Sequence, residues 1–97
     1  MSNNILNEII VLVTKGCESC EIAKNLVKKA VDKSDVDINL EIYDCTDSDS
    51  HFMSLAKLYL TDDFPTTIFV KRGIVISKIV GTTTVDEITK EINKCFK

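Results

Sequence analysis

Apolar and polar positions follow more than one period along the chain, and each change of period marks an element. In the run EIIVLV (Glu8 to Val13) every residue after Glu8 is apolar, and most are β-branched. Such a run fits a strand buried on both faces, hence central in a sheet and parallel to a neighbour. From Glu18 to about Asp32 the apolar residues are Ile22, Ala23, Leu26, Val27, Ala30 and Val31. That spacing draws one stripe along a helix. In DINLEIYD, Ile38, Leu40 and Ile42 alternate with Asn39 and Glu41, which predicts a strand with one more exposed face.

The second half continues in the same way. TDSDS offers N-caps for a second helix over HFMSLAKLYL. Two β-rich runs, Thr66 to Lys71 and Ile74 to Val80, flank Arg72-Gly73. So short a connection containing glycine predicts an antiparallel hairpin. TVDE (Thr84 to Glu87) is a capping box, threonine followed three residues later by glutamate. The helix it opens puts Val85, Ile88, Ile92, Cys95 and Phe96 on one face.

The expected order is β-α-β-α-β-β-α, an α/β chain. The first βαβ unit crosses over right-handedly with parallel strands, and the hairpin adds an antiparallel pair. The result is a mixed four-stranded sheet flanked by three helices. No repeat, low-complexity tract or linker interrupts it, so residues 1–97 are expected to form one domain.

Composition narrows the function classes. Hydrophobic residues at 44% and charged residues at 28% are an ordinary globular balance. The net charge is −3, and no basic patch of the kind a nucleic-acid binder needs is evident. The apolar run Ile9 to Val13 is far too short to span a membrane. It has neither the cationic flank nor the cleavage site of a signal peptide. The chain starts at Met1, and a trimmed export signal is not expected. Four cysteines are few for a disulfide-built secreted domain, and they form one close pair, Cys17 and Cys20, plus Cys45 and Cys95. One purposeful pair fits a reducing cytoplasm.

Cys17 and Cys20 fall at the seam between the first strand and the first helix. They are a redox pair, half of a metal site, or two inert thiols. A zinc or iron–sulfur site would draw on Cys45, Cys95 or His51, but structural zinc wants a second clustered ligand pair, which these do not make; a cluster shared between two subunits with glutathione stays open as an alternative. Cys17 would begin the helix, where free N–H groups and the positive helix end favour a thiolate. Cys20, one turn in, would be less exposed. Thiol–disulfide exchange uses that asymmetry: one thiol attacks and the other resolves. Glu18 and Glu21 oppose the thiolate while Lys15 and Lys24 partly compensate, so a modest lowering of the Cys17 pKa and a reducing pair are expected.

The element order, the CxxC motif and FPT opening the third strand together resemble the thioredoxin-like family. TKGCESC, LYLTDDFPTTIFV and VISKIVG look most like small archaeal and bacterial thioredoxin/glutaredoxin-like proteins, over nearly the whole chain. The resemblance implies Cys17 as nucleophile and Cys20 as resolving cysteine. It implies that Pro65, the sole proline, is a cis-proline packed beside them, that the backbone at Phe64 pairs with substrate, and that Gly81 closes the last strand. The chain also departs from the family. CESC is neither the Gly-Pro nor the Pro-Tyr version of the motif, and no tryptophan precedes Cys17. Val11 stands near where thioredoxins bury an acid, and Leu60 where many relatives have glycine. Lys15 is offset by one from the glutaredoxin lysine, and Thr82 replaces the second glycine of a glutathione-binding loop.

The remaining candidates read as structural. Cys45 is a semi-buried bystander or a third, regulatory thiol. Cys95 is core, His51 solvated, and Tyr43 and Tyr59 packing residues. DCTDSDS misses the spacing of a calcium loop. The expectation is a monomeric cytoplasmic thiol–disulfide oxidoreductase with no bound cofactor or metal. Its substrates would be disulfide-containing proteins or small molecules, with electrons from a thioredoxin reductase or glutathione. The alternatives are a glutaredoxin that uses glutathione and a non-catalytic interaction module.

Overall fold

The structure, a computed structural model, describes residues 7–44 and 64–97. Its strands β1 (Asn7–Val13), β2 (Asn39–Asp44), β3 (Thr66–Lys71) and β4 (Ile74–Val80) form one sheet in the order β2-β1-β3-β4. β1 runs parallel to β2, from Glu8 opposite Asn39 to Val13 opposite Asp44. It runs antiparallel to β3, from Asn7 opposite Lys71 to Leu12 opposite Thr66. The apolar run of β1 therefore has a neighbour on each side, and Ile9 to Val13 are all buried. β3 is the other interior strand, buried from Thr66 to Val70.

The β3–β4 hairpin turns on Arg72-Gly73, with Lys71 opposite Ile74. Both turn residues have positive φ, 55° and 79°. Positive φ at both positions is what a two-residue type I′ turn requires, and it matches the twist of the strands. β4 is an edge strand and leaves Ile74, Val75, Ile76 and Val80 exposed.

Helices α1 (Glu18–Lys33) and α2 (Val85–Phe96) share one face of the sheet. Ile9, Val11, Val13 and Phe69 form a buried cluster there with Val27 and Ala30 of α1 and Ile88, Ile92 and Phe96 of α2. The Phe69 and Phe96 rings meet at a centroid distance of 6.2 Å. Full burial of one such side chain is worth about 1.5–3 kcal/mol. On the opposite face Ile10, Leu12, Ile68 and Val70 form a second buried cluster, with Tyr43 and Phe64 partly buried against it.

The sheet, the hairpin and these two helices match the expected order. The helix expected over HFMSLAKLYL, with Cys45, His51, Tyr59 and Leu60, lies outside the described residues. One detail of α1 differs from expectation. Its buried line is Cys20, Ala23, Val27 and Ala30, whereas Ile22 is 54% exposed. Successive helix positions are about 100° apart, so a line centred on Ala23 and Val27 turns Ile22 outward and brings Cys20 under the helix.

Candidate functional site

β1 ends at Val13, and the chain turns through Thr14, Lys15 and Gly16 into α1. Gly16 takes φ 75°, a left-handed conformation that glycine adopts without a Cβ penalty. Cys17 follows as the helix N-cap, with extended backbone at φ −105° and ψ 105°. Its carbonyl accepts from Cys20 N at 3.1 Å and from Glu21 N at 3.4 Å. Its Sγ accepts from the same Cys20 N–H at 3.1 Å. The sulfur thus occupies the place where a capping oxygen normally satisfies an orphan amide.

Cys17 and Cys20 are joined as a disulfide, with their Cα atoms 5.2 Å apart. Cys17 is half-buried and Cys20 is 1% exposed. The difference in exposure read from the spacing is therefore present: Cys17 is partly accessible and Cys20 is sealed under the helix. The positive helix pole favours an anion at Cys17. Glu18 and Glu21 sit in the same turn, and Glu21 holds Lys24 at 2.8 Å, which leaves that lysine less able to offset them. Beside Cys17 lies a cleft of about 380 Å³, whose walls include Lys15, Glu18, Glu21, Lys24 and Asp44.

The Phe64–Pro65 peptide is cis, and Pro65 is fully buried. Its carbonyl accepts from Gly81 N at 2.7 Å, which ties the end of β4 to this turn. Gly81 has φ 85°, and a Cβ there would meet nothing within 4 Å. Glycine is therefore needed for the dihedral and not for space. Register places the turn relative to the cysteines. Val13 pairs with Asp44 and Leu12 with Thr66. The exit of β1, the exit of β2 and the entry to β3 thus share one sheet edge. Cys17, Cys20 and the Phe64–Pro65 turn are brought to that edge, and Cys17 and Phe64 pack against the same buried cluster.

Cys95 lies elsewhere, near the C-terminal end of α2. Its thiol donates to Glu91 Oε2 at 3.7 Å, and Ser77 Oγ donates to the same oxygen. Burial pushes the Cys95 pKa up, and the Glu91 charge adds to the rise. Cys95 is half-buried where a core position was expected. Tyr43 is half-buried on β2, in keeping with a packing role. Among the described residues no group of three His, Cys, Asp or Glu side chains is arranged to hold a metal ion. No helix among them is long and apolar enough to cross a membrane. Sequence reasoning did not single out Asp44 at the cleft or Thr67, whose hydroxyl is buried without a partner. The only sequence signal for Thr67 is a pair of threonines inside an otherwise apolar strand.

A mixed β2-β1-β3-β4 sheet, a CxxC disulfide opening the first helix and a cis-proline turn on the same edge define the thioredoxin-like fold. Solved structures agree. A single-substitution variant of thioredoxin from Halobacterium salinarum superimposes with a TM-score of 0.81 at 16% identity, over 95% of this chain and 76% of that one. Thioredoxin from Aeropyrum pernix gives 0.70 at 22% identity, over 95% and 77%. A chain solved for the thiol resolving mechanism of yeast mitochondrial 1-Cys peroxiredoxin via glutathione/thioredoxin systems gives 0.77 at 18% identity, over 94% and 80%. At these identities the likeness is one of fold. No protein-family model matches the chain, and no curated protein does.

Proposed function

We propose that this chain is a thiol–disulfide oxidoreductase acting as a single, monomeric domain in a reducing compartment, the cytoplasm. In the reduced protein the Cys17 thiolate attacks a substrate disulfide R–S–S–R′. The Cys17–S–S–R bond forms and R′–S⁻ leaves with a proton from solvent. Cys20 then loses its proton and attacks Cys17 Sγ. The mixed disulfide breaks, the Cys17–Cys20 disulfide forms, and R–S⁻ departs and is protonated. Two electrons pass from the dithiol to the substrate. A separate dithiol or thiol donor, a thioredoxin reductase or glutathione, returns the disulfide to the reduced state.

The observation that carries this reading is the Cys17–Cys20 disulfide at the start of α1, with one sulfur accessible and the other buried. Attack needs both thiolate character and access; of the pair, Cys17 is the accessible sulfur and caps the helix N-terminus, whose positive pole favours an anion. Phe64 and Pro65 at the same edge support docking of an extended substrate segment along the backbone of that turn. The yeast system, in which glutathione and thioredoxin systems resolve a peroxiredoxin thiol, supports either donor and protein disulfides as substrates.

The test is turnover of a disulfide substrate by the purified chain, with glutathione and with a thioredoxin reductase supplied separately. Reversible cycling of Cys17 and Cys20, seen as a gain of two alkylatable thiols, is expected with at least one donor. A pair that neither donor reduces and that reduces no disulfide would leave only an interaction module.

A further inference from the structure

Exchange requires more of Cys20 than of Cys17. Cys20 sits at 1% exposure, yet it must shed a proton and carry negative charge while it attacks. A buried thiolate without a hydrogen-bond donor is costly. The layer beneath α1 is apolar: Val11, Val13, Val27 and Phe69 share one buried cluster with Cys20. Among the described residues, one buried side-chain oxygen has no hydrogen-bond partner, Thr67 Oγ1. Thr67 is itself 0% exposed. It stands directly opposite Val11 across the β1–β3 pair, on the sheet face where Val11 and Cys20 meet in that cluster.

An unpaired buried hydroxyl is rare and calls for a physical reason. The oxidation state supplies one here. In the Cys17–Cys20 disulfide, the Cys20 sulfur has no proton to donate and is a weak acceptor. Once reduced, the same sulfur is a thiol or a thiolate, and it can pair with a hydroxyl in either form. We propose that Thr67 is a positioning residue for the resolving thiol. Its hydroxyl accepts from the Cys20 S–H and donates to the Cys20 thiolate, and it goes unpaired in the oxidised protein. Thr67 is no base, because a hydroxyl does not take the proton at neutral pH. The proton leaves Cys20 for solvent and is returned to the departing substrate thiolate. Thr67 only stabilises the anion in between.

This inference rests on the oxidoreductase reading for its role in turnover, but the hydrogen bond can be tested without turnover. Thr67→Val removes the hydroxyl at nearly constant shape, and Thr67→Ala is a second hydroxyl-free variant should valine pack badly. Thr67→Ser restores the donor. Three quantities are read on the full chain: the Cys20 titration in the reduced protein, by NMR with labelled cysteine; the reduction potential of the pair; and the decay of the mixed disulfide at Cys17, by quenched mass spectrometry. In Thr67→Val and Thr67→Ala, Cys20 should titrate higher, the disulfide should be harder to reduce, and decay should slow about three- to tenfold. Formation of the mixed disulfide should keep its rate, and Thr67→Ser should recover all three quantities. If the hydroxyl-free variants gain resistance to urea while Cys20 titration, potential and decay stay as in the parent, Thr67 is a packing defect and the proposal is wrong. If the parent chain forms no mixed disulfide, the oxidoreductase reading fails. The titration and the potential then decide the hydrogen bond alone.

Discussion

Helices α1 and α2 begin in the same way with different atoms. α1 is capped by Cys17, whose Sγ accepts from the N–H of Cys20 at 3.1 Å. α2 is capped by Thr84, whose Oγ1 accepts from the N–H of Glu87 at 3.1 Å. Both caps have extended backbone, and both helices carry two acids in the first turn. Both therefore meet the same problem, orphan amides and a positive pole. Oxygen at that position turns the amides into helix stability. In the proposed function, sulfur at the same position turns them into stabilisation of an anion once the pair is reduced, because a thiol ionises far more readily than a hydroxyl. The backbone is common to both, and under the proposed function the atom at the cap decides whether the start is structural or chemical.

Exchanging the atom should separate the two roles, and this is the largest effect expected. Cys17→Ser keeps a good N-cap, since serine ranks with the best. Its urea midpoint should stay near that of the reduced parent. Disulfide turnover should fall on the order of a thousandfold or more, as when a nucleophile is removed. Comparable turnover in the serine variant would break the comparison outright.

Cys20→Ser sharpens it. Cys17 should still attack, but nothing remains to resolve the product. A mixed disulfide should accumulate toward one per chain, visible as a mass increase after challenge with a disulfide substrate. The reverse substitution should trap little. Equal trapping by both would mean that burial of Cys20 does not set the order of attack.

Thr84→Ala tests the structural partner of the pair. Loss of the cap should cost about 1 kcal/mol, which lowers the melting temperature by about 4–8 °C in a domain of this size. Exchange kinetics should not change. A thermal scan paired with a turnover assay reads both. A loss of activity without a loss of stability would show that the α2 start contributes to the site.

How far these features could be read from the chain depended on whether local pattern or tertiary context set them. The capping box at Thr84, the continuous run of β1 and the short Arg72-Gly73 connection are local, and each sits in the structure where the pattern put it. The CxxC at a strand–helix seam was legible for the same reason, because cap chemistry is a matter of a few neighbouring residues. The outward turn of Ile22 was not, since it depends on how α1 is rolled on the sheet. The exposure of Ile74, Val75 and Ile76 was hidden too, because a β-rich run does not say whether its strand lies at an edge. Thr67 needed the β1–β3 register, which a lone sequence does not supply, together with the burial of Cys20.

Cys95 extends the comparison to the opposite pole, with the smallest expected effect. It lies near the C-terminal end of α2, where the helix presents carbonyls and not amides. Burial and then the Glu91 carboxylate push its pKa above the ordinary value of 9.0. The folded protein therefore keeps the Cys95 proton in a pH range where the unfolded chain has released it. Between those two pKa values the native state binds more protons, so stability contributed by this thiol is present below about pH 9 and is lost as pH rises further. Urea midpoints of the reduced parent and of Cys95→Ala, each measured at pH 7.5 and 9.5, isolate the contribution because all other titrating groups are shared. The parent should lose more stability between the two pH values than Cys95→Ala does. Glu91→Gln should narrow that gap, since a neutral amide no longer repels the thiolate. It should also raise the rate at which Cys95 reacts with iodoacetamide near pH 8. A parent and a Cys95→Ala protein with equal pH slopes would show that Cys95 ionises in the folded state as readily as in the unfolded chain. Burial and the Glu91 charge would then not hold the Cys95 proton.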